Sequence, residues 1–100
     1  MLVRVGSVAD VPTGALRAYT LNGKRVAVAN AAGTFYAFDD TCTHQGCSLA
    51  AGDLAGTTVT CACHGSQFDV TSGEVLEGPA EYPVRSHPVQ VSGGELSIEA

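Results

Sequence analysis

Short apolar segments alternate with glycine-containing and polar turns along most of the chain. Residues 15–21 and 24–29 are strand-length segments that flank Asn22-Gly23, the dipeptide that most strongly favours a tight β-hairpin. A third segment, 34–38, follows a second turn at residues 30–33. This part of the chain therefore predicts an antiparallel meander.

The second half of the chain contains shorter strand candidates. They are residues 58–61, 67–70, 74–76, 84, 89–91 and 95–98, with Gly93-Gly94 as the turn before the last one. Residues 48–54 are interpreted as a short helical or irregular link, and the pattern contains no long amphipathic helix. We therefore predict an all-β fold, an antiparallel β sandwich or partly closed barrel.

The size and charge of the chain narrow its class. It has 100 residues, 45% of them hydrophobic, which suits one small domain. Without a run of about eighteen apolar residues, no membrane span is expected. Residues 1–5 lack the basic start and apolar run of a signal peptide, which favours a cytoplasmic location. Five Lys and Arg against ten Asp and Glu argue against nucleic acid as a partner.

All four cysteines and two of the three histidines lie in two short segments, Cys42-Thr43-His44-Gln45-Gly46-Cys47 and Cys61-Ala62-Cys63-His64-Gly65-Ser66. This concentration indicates a metal site. The C-x-H and C-x-x-H pairs offer two thiolates and two imidazoles, the ligand set of a [2Fe-2S] centre in which two histidines hold one iron. A structural zinc site and a plain scaffold of two disulfides are the alternatives. The two segments lack the usual zinc-finger spacing, in which two cysteines form one pair and two histidines the other.

The sequences C-T-H-Q-G-C and C-A-C-H-G-S resemble the two ligand loops of the Rieske iron–sulfur proteins. The resemblance implies that Cys42 and Cys61 bind the inner iron and that His44 and His64 bind the outer iron. It also implies a Rieske-type sandwich with both ligand loops at one end. Residues 78–80, Gly-Pro-Ala, resemble the third loop of the family, which covers the cluster.

The same resemblance implies a disulfide between Cys47 and Cys63, typical of the high-potential branch of the family. Disulfides usually mark oxidising compartments, so an excised extracytoplasmic domain is the alternative to a cytoplasmic location. The likeness spans nearly the whole chain. We therefore predict a single Rieske domain over residues 1–100, with a cluster-binding part at about 40–80.

Three further positions bear on the reduction potential and the partner. Ser66 stands where high-potential members place a serine that donates to a bridging sulfide, so it is counted among the cofactor-binding residues. Phe68 replaces a tyrosine whose hydroxyl often reaches a cysteine sulfur in those proteins, which implies an intermediate potential. Gln45 replaces the leucine of quinol-oxidising members, which argues against quinol oxidation.

The resemblance implies a one-electron carrier that makes and breaks no substrate bond. The expected role is that of a small soluble Rieske ferredoxin between a reductase and a terminal oxidoreductase such as an oxygenase. The alternative is the soluble Rieske head or subunit of a larger oxidoreductase, such as a cytochrome complex or a molybdenum oxidase.

Charged residues outside the two motifs give weaker indications. Asp39 and Asp40 precede the first motif, and the net charge of −5 suits docking onto a basic reductase or oxygenase surface. A solvated acidic turn is an equally good interpretation of this pair. His87, in Ser86-His87-Pro88, is predicted to be a surface histidine.

Overall fold

The computed structural model describes residues 2–43, 46–63 and 65–99. Over these residues the chain forms eleven β-strands and two single-turn 3-10 helices, Val8–Asp10 and Leu49–Ala51. The strands are β1 (Leu2–Ser7), β2 (Leu16–Leu21), β3 (Lys24–Ala31), β4 (Thr34–Asp39), β5 (Asp53–Ala55), β6 (Thr58–Thr60), β7 (Gln67–Asp69), β8 (Val75–Glu77), β9 (Ser86–His87), β10 (Val89–Ser92) and β11 (Glu95–Glu99). The all-β prediction is confirmed.

Three antiparallel sheets make up the molecule. The distal sheet has the order β1-β11-β10, the central sheet β2-β3-β4-β9, and the loop sheet β5-β6-β7-β8. Each order is open-ended over the described residues, so these are packed open sheets and not a closed barrel. The two Cys/His segments both border the loop sheet, one before β5 and one between β6 and β7.

Strand β3 is buried on both faces and separates two hydrophobic cores. Its side chains point alternately to opposite faces, as in any β-strand. Val26 and Val28 enter the distal core, whereas Ala27 and Ala29 enter the loop-side core. The distal core comprises Val11, Leu21, Val26, Val28, Ala37, Leu96 and Ile98. The loop-side core comprises Ala27, Ala29, Phe38, Cys42, Leu49, Val59, Cys61, Phe68, Val70, Ala80 and Val84.

Two tight turns set the register of the central sheet. Asn22 and Gly23 have φ values of 51° and 81°, the left-handed conformation that a two-residue hairpin turn between β2 and β3 requires. Ala32 and Gly33, with φ of 53° and 92°, make the same kind of turn between β3 and β4. The predicted hairpin is therefore present. The second turn is shorter than predicted because β3 continues to Ala31.

The remaining sequence predictions differ from the structure in detail. The link predicted at residues 48–54 contains the helix Leu49–Ala51 and the beginning of β5. Val84, predicted on a strand, precedes β9 and is buried in the loop-side core instead. Among the described residues, no helix has the length and apolar character needed to cross a membrane.

Candidate metal centre

The two Cys/His segments form loops with the same backbone hydrogen bonds. In loop 1, residues 42–47, the amide of Cys42 donates to the carbonyl of Cys47 (2.8 Å), and the amide of Gly46 donates to the carbonyl of Cys42 (2.9 Å). Loop 2, residues 61–66, repeats both bonds. The amide of Cys61 donates to the carbonyl of Ser66 (2.8 Å), and the amide of Gly65 donates to the carbonyl of Cys61 (3.1 Å). The fifth residue is a glycine in both loops, because the chain adopts a positive φ there, 74° and 76°.

The first residue of each loop is a buried free cysteine. Cys42 and Cys61 are exposed by only 2% and 3%, and both belong to the loop-side core. Thiolate is a ligand that iron–sulfur clusters require, and equivalent positions in two matching loops supply one each. This donor pair fits the inner iron of a [2Fe-2S] cluster.

The other two cysteines are bonded to each other. Cys47, the last residue of its motif, forms a disulfide with Cys63, which lies third in loop 2. The sulfurs of Cys47, Cys61 and Cys63 lie within 4.8 Å of one another. A disulfide sulfur is not a thiolate, so among these three cysteines only Cys61 can act as a thiolate ligand. The disulfide therefore links the two loops directly beside a candidate ligand.

The predicted histidine ligands, His44 and His64, lie outside the described residues, and so does Gln45. Their assignment stays a prediction.

Ser66 joins loop 2 to the third loop. Its side chain is fully buried, and its Oγ accepts a hydrogen bond from the amide of Ala80 (3.0 Å). A hydroxyl that accepts one hydrogen bond still has its own hydrogen to donate. Ala80 is the end of the predicted Gly-Pro-Ala covering loop, and the preceding Gly78-Pro79 peptide is cis. The third loop therefore lies against loop 2.

Asp40 is a residue that sequence reasoning misjudged. Its side chain is 2% exposed and accepts hydrogen bonds from Ser48 Oγ (2.6 Å) and the amide of Ala50 (2.8 Å). Its backbone carbonyl accepts from the amide of Leu49 (2.7 Å), and its carboxylate pairs with Arg25 at 3.4 Å. Asp40 is thus no solvated turn or docking residue. It holds residues 48–50, which follow loop 1, next to the end of the chain segment that leads into loop 1.

Asp39 and His87 form a second polar pair that the sequence did not predict. His87 Nε2 lies 2.6 Å from Asp39 Oδ1, and the same oxygen lies 3.2 Å from Lys24 Nζ. The His87 side chain is 11% exposed, so the prediction of a surface histidine is wrong. The pair joins the end of β4 to β9, the strand that follows the third loop.

Phe68 lies on β7 and is completely buried in the loop-side core, together with both free cysteines. It offers no hydrogen-bond donor.

Among the described residues, Tyr19 has a shifted pKa, and it lies in the distal region. Burial raises the pKa of its hydroxyl, partly offset by the nearby Arg17. This hydroxyl has no hydrogen-bond partner among the described residues, and Tyr19 packs against the distal core. It takes no part in the centre.

Comparison with known proteins decides between the possible metal sites. A model of the Rieske [2Fe-2S] domain family matches residues 1–88. The chain belongs to the Rieske [2Fe-2S] family. Its cofactor is therefore a [2Fe-2S] cluster, and the structural zinc and plain disulfide alternatives are excluded.

Several Rieske relatives are ferredoxins of oxygenase systems. The chain is 40% identical over 94 residues to the 3-phenylpropionate/cinnamic acid dioxygenase ferredoxin subunit of Escherichia coli K12, covering 92% of this chain and 87% of the relative. It is 37% identical over 100 residues to the ferredoxin component of the p-cumate 2,3-dioxygenase system of Pseudomonas putida, covering 98% and 85%. A chain in the complex of reduced oxygenase and oxidized ferredoxin in carbazole 1,9a-dioxygenase superposes with a TM-score of 0.92 at 33% identity, covering 97% and 91%.

Proposed function

We propose that this Rieske protein is a one-electron carrier that accepts an electron from a reductase and passes it to a terminal oxygenase. The observation that carries the proposal is the pair of matched loops, each presenting one buried free cysteine, in a chain that aligns over nearly its full length with ferredoxin components of dioxygenase systems. A bound [2Fe-2S] cluster supplies a one-electron couple. The protein supplies the ligands, the burial and the docking surface.

The proposed ligands are Cys42 and Cys61 for the inner iron and His44 and His64 for the outer iron. The equivalent positions of the two cysteines support the first half of this assignment. The C-x-H and C-x-x-H motifs support the second half. Ser66 is proposed to donate its hydroxyl hydrogen toward the cluster sulfur, since its oxygen is buried and already accepts from Ala80.

The chain is also proposed to act as one domain over residues 1–100, with the cluster-binding part at about 40–80. Support comes from β3, which contributes side chains to both cores and so joins them in one domain. We propose a cytoplasmic location, in line with the relatives that are components of dioxygenase systems. Cell fractionation with an antibody against the chain tests this location.

Metal analysis tests the cofactor and the ligands together. The purified holoprotein should contain two irons and two acid-labile sulfides per chain and should take up one electron in a reductive titration. Cys42→Ala and Cys61→Ala should each prevent assembly. The matched control is the double variant Cys47→Ser/Cys63→Ser, which removes two cysteines of the same loops and should still assemble. Stoichiometric zinc without sulfide would sink the proposal.

The carrier role needs its own experiment. Reduced holoprotein in excess, mixed in a stopped-flow instrument with the oxidised oxygenase of the Pseudomonas putida p-cumate system, its substrate and O2, should be reoxidised, with two electrons transferred for each product molecule formed. Holoprotein that is reoxidised without product would show that it is not a donor to this type of oxygenase.

A further inference from the structure

Three of the five Lys and Arg side chains converge on the entrance to loop 1, although the chain carries a net charge of −5. Lys24 and Arg25 begin β3, and the next residue of β3 pairs with Asp39 at the end of β4. The amide of Asp39 donates to the carbonyl of Arg85 (2.8 Å) from the other side. The three cations therefore flank the point at which β4 ends and loop 1 begins.

These side chains line a groove in the surface. One depression, with a volume of about 470 Å³, is lined by the three cations and by loop 1 at Cys42 and Thr43. A second depression, of about 430 Å³, shares Lys24 and Arg85 with the first but is also lined by the carboxylate residue Glu99. The first depression alone is called the basic groove below.

The exposed charge of the basic groove is positive because its carboxylates lie beneath its cations. Lys24 and Arg25 expose 51% and 57% of their side chains, whereas their partners Asp39 and Asp40 expose 24% and 2%. Arg85 is exposed and makes no ion pair with any residue that the structure describes. An approaching molecule therefore meets guanidinium and ammonium groups first.

Local charge governs an approach at short range. At physiological ionic strength, interactions between exposed charges are largely screened beyond about 8 Å. An acidic segment that enters the basic groove is therefore attracted by the nearby cations more than it is repelled by the distant acidic residues. Complementary charges of this kind act mainly on association rate and on orientation.

We propose that the basic groove docks an acidic segment of the protein that exchanges electrons with this carrier, an inference that rests on the proposed function. A segment seated there lies against Thr43 and the buried Cys42 in loop 1. Docking in the basic groove thus orients the loop-bearing end toward the partner. The side chain of Arg85 is the most direct anchor, since it forms no ion pair with any of the described residues.

A capped hexaglutamate peptide serves as the probe, titrated into the oxidised holoprotein and followed by amide NMR shifts. Shifts should concentrate at Lys24, Arg25 and Arg85. Arg85→Glu should weaken binding about three- to tenfold, the range expected when one or two exposed ion pairs are lost or reversed. Raising the salt from about 50 to 500 mM should largely remove both the binding and the difference.

The matched control is Arg17→Glu, which makes the same charge change at an exposed residue of β2, outside the basic groove. It should weaken binding by less than about twofold. Equal losses in both variants, or shifts spread over the surface, would overturn the docking site. If Arg85→Glu fails to hold its cluster, Arg85→Gln decides the question, with about a two- to threefold loss expected. A holoprotein that cannot be reduced would refute the carrier function instead, whatever the peptide does.

Discussion

Around the distal core, strands reach a length of eight residues, whereas the loop sheet is built from strands of three residues. The distal region is held by many apolar contacts of similar weight. The loop end depends on a few individual links, namely the Cys47–Cys63 disulfide, the Asp40 carboxylate and the bond from Ala80 to Ser66. A substitution in the distal core should therefore lower the stability of the whole domain. Loss of a link at the loop end should mainly affect the metal centre.

The largest expected effect is the loss of a distal core side chain. Leu96 is completely buried, so Leu96→Ala should lower the free energy of unfolding by about 3 kcal/mol through lost burial and a cavity. The reduction potential should stay unchanged, because Leu96 belongs to the distal core whereas Cys42 and Cys61 belong to the loop-side core. Denaturant unfolding and electrochemistry measure the two quantities. Leu76→Ala is the control, since Leu76 is 50% exposed and should cost little. A shifted potential in Leu96→Ala would show that the two regions are not independent.

Removing the disulfide should act at the loop end. The bridge closes a sequence separation of 16 residues, worth about 3 kcal/mol in the chain-entropy model. In Cys47→Ser/Cys63→Ser the visible absorbance of the cluster should bleach at a lower temperature, while the far-ultraviolet signal of the strands persists above that point. If both signals are lost together, the proposed separation between the regions is wrong.

Asp40→Asn tests the buried carboxylate with almost no change of shape. An amide can accept only one of the two hydrogen bonds from Ser48 and Ala50, and it leaves Arg25 without its partner. The free energy of unfolding should fall by about 2 kcal/mol. Asp53→Asn on exposed β5 is the control and should change it by less than about 0.5 kcal/mol. Equal stability of the two variants would mean that loop 1 is held by other contacts.

Ser66→Ala should lower the reduction potential. A hydrogen bond to cluster sulfur stabilises the reduced state more than the oxidised state. A difference of about 1 to 2 kcal/mol between the two states corresponds to about 40 to 90 mV for one electron. The unfolding free energy should fall as well, because the amide of Ala80 loses its acceptor. Direct electrochemistry at one pH and denaturant unfolding separate the two effects. Lower stability with an unchanged potential would show that the hydroxyl holds the third loop only.

The smallest effect is expected from Phe68→Tyr. The added hydroxyl enters a fully buried site in the core that also contains the sulfurs of Cys42 and Cys61. The potential should rise by less than it falls in Ser66→Ala, since the ring must adjust to reach a sulfur. Val70→Thr, also buried in this core, controls for the mere addition of a hydroxyl. A fall in potential would contradict the proposed direction.

Local features of the fold could be predicted from the sequence. Asn22-Gly23 fixes a hairpin through its backbone preference alone, and the two Cys/His motifs mark both loops. The pairing of Cys47 with Cys63 was implied by family resemblance, because spacing alone leaves the partners of four cysteines open.

Contacts between distant parts of the chain were beyond the sequence pattern. Asp39 and His87 are 48 residues apart, and Asp40 reaches Ala50 only because loop 1 returns its chain to the same place. A carboxylate that is buried on such partners looks in the sequence like any surface carboxylate. The basic groove is hidden for the same reason, since Arg85 joins Lys24 only through the pairing of β4 with β9.

The two faces of β3 differ in side-chain size, with valines toward the distal core and alanines toward the loops. Ala27 and Ala29 thereby act as spacers that set how closely the helix Leu49–Ala51 and β5 approach the central sheet. Substitutions at these two positions are therefore a way to adjust this distance. Each methyl group added there would move the loop sheet slightly farther from the central sheet. The ligand residues, the disulfide and the residues of the basic groove would themselves stay unchanged.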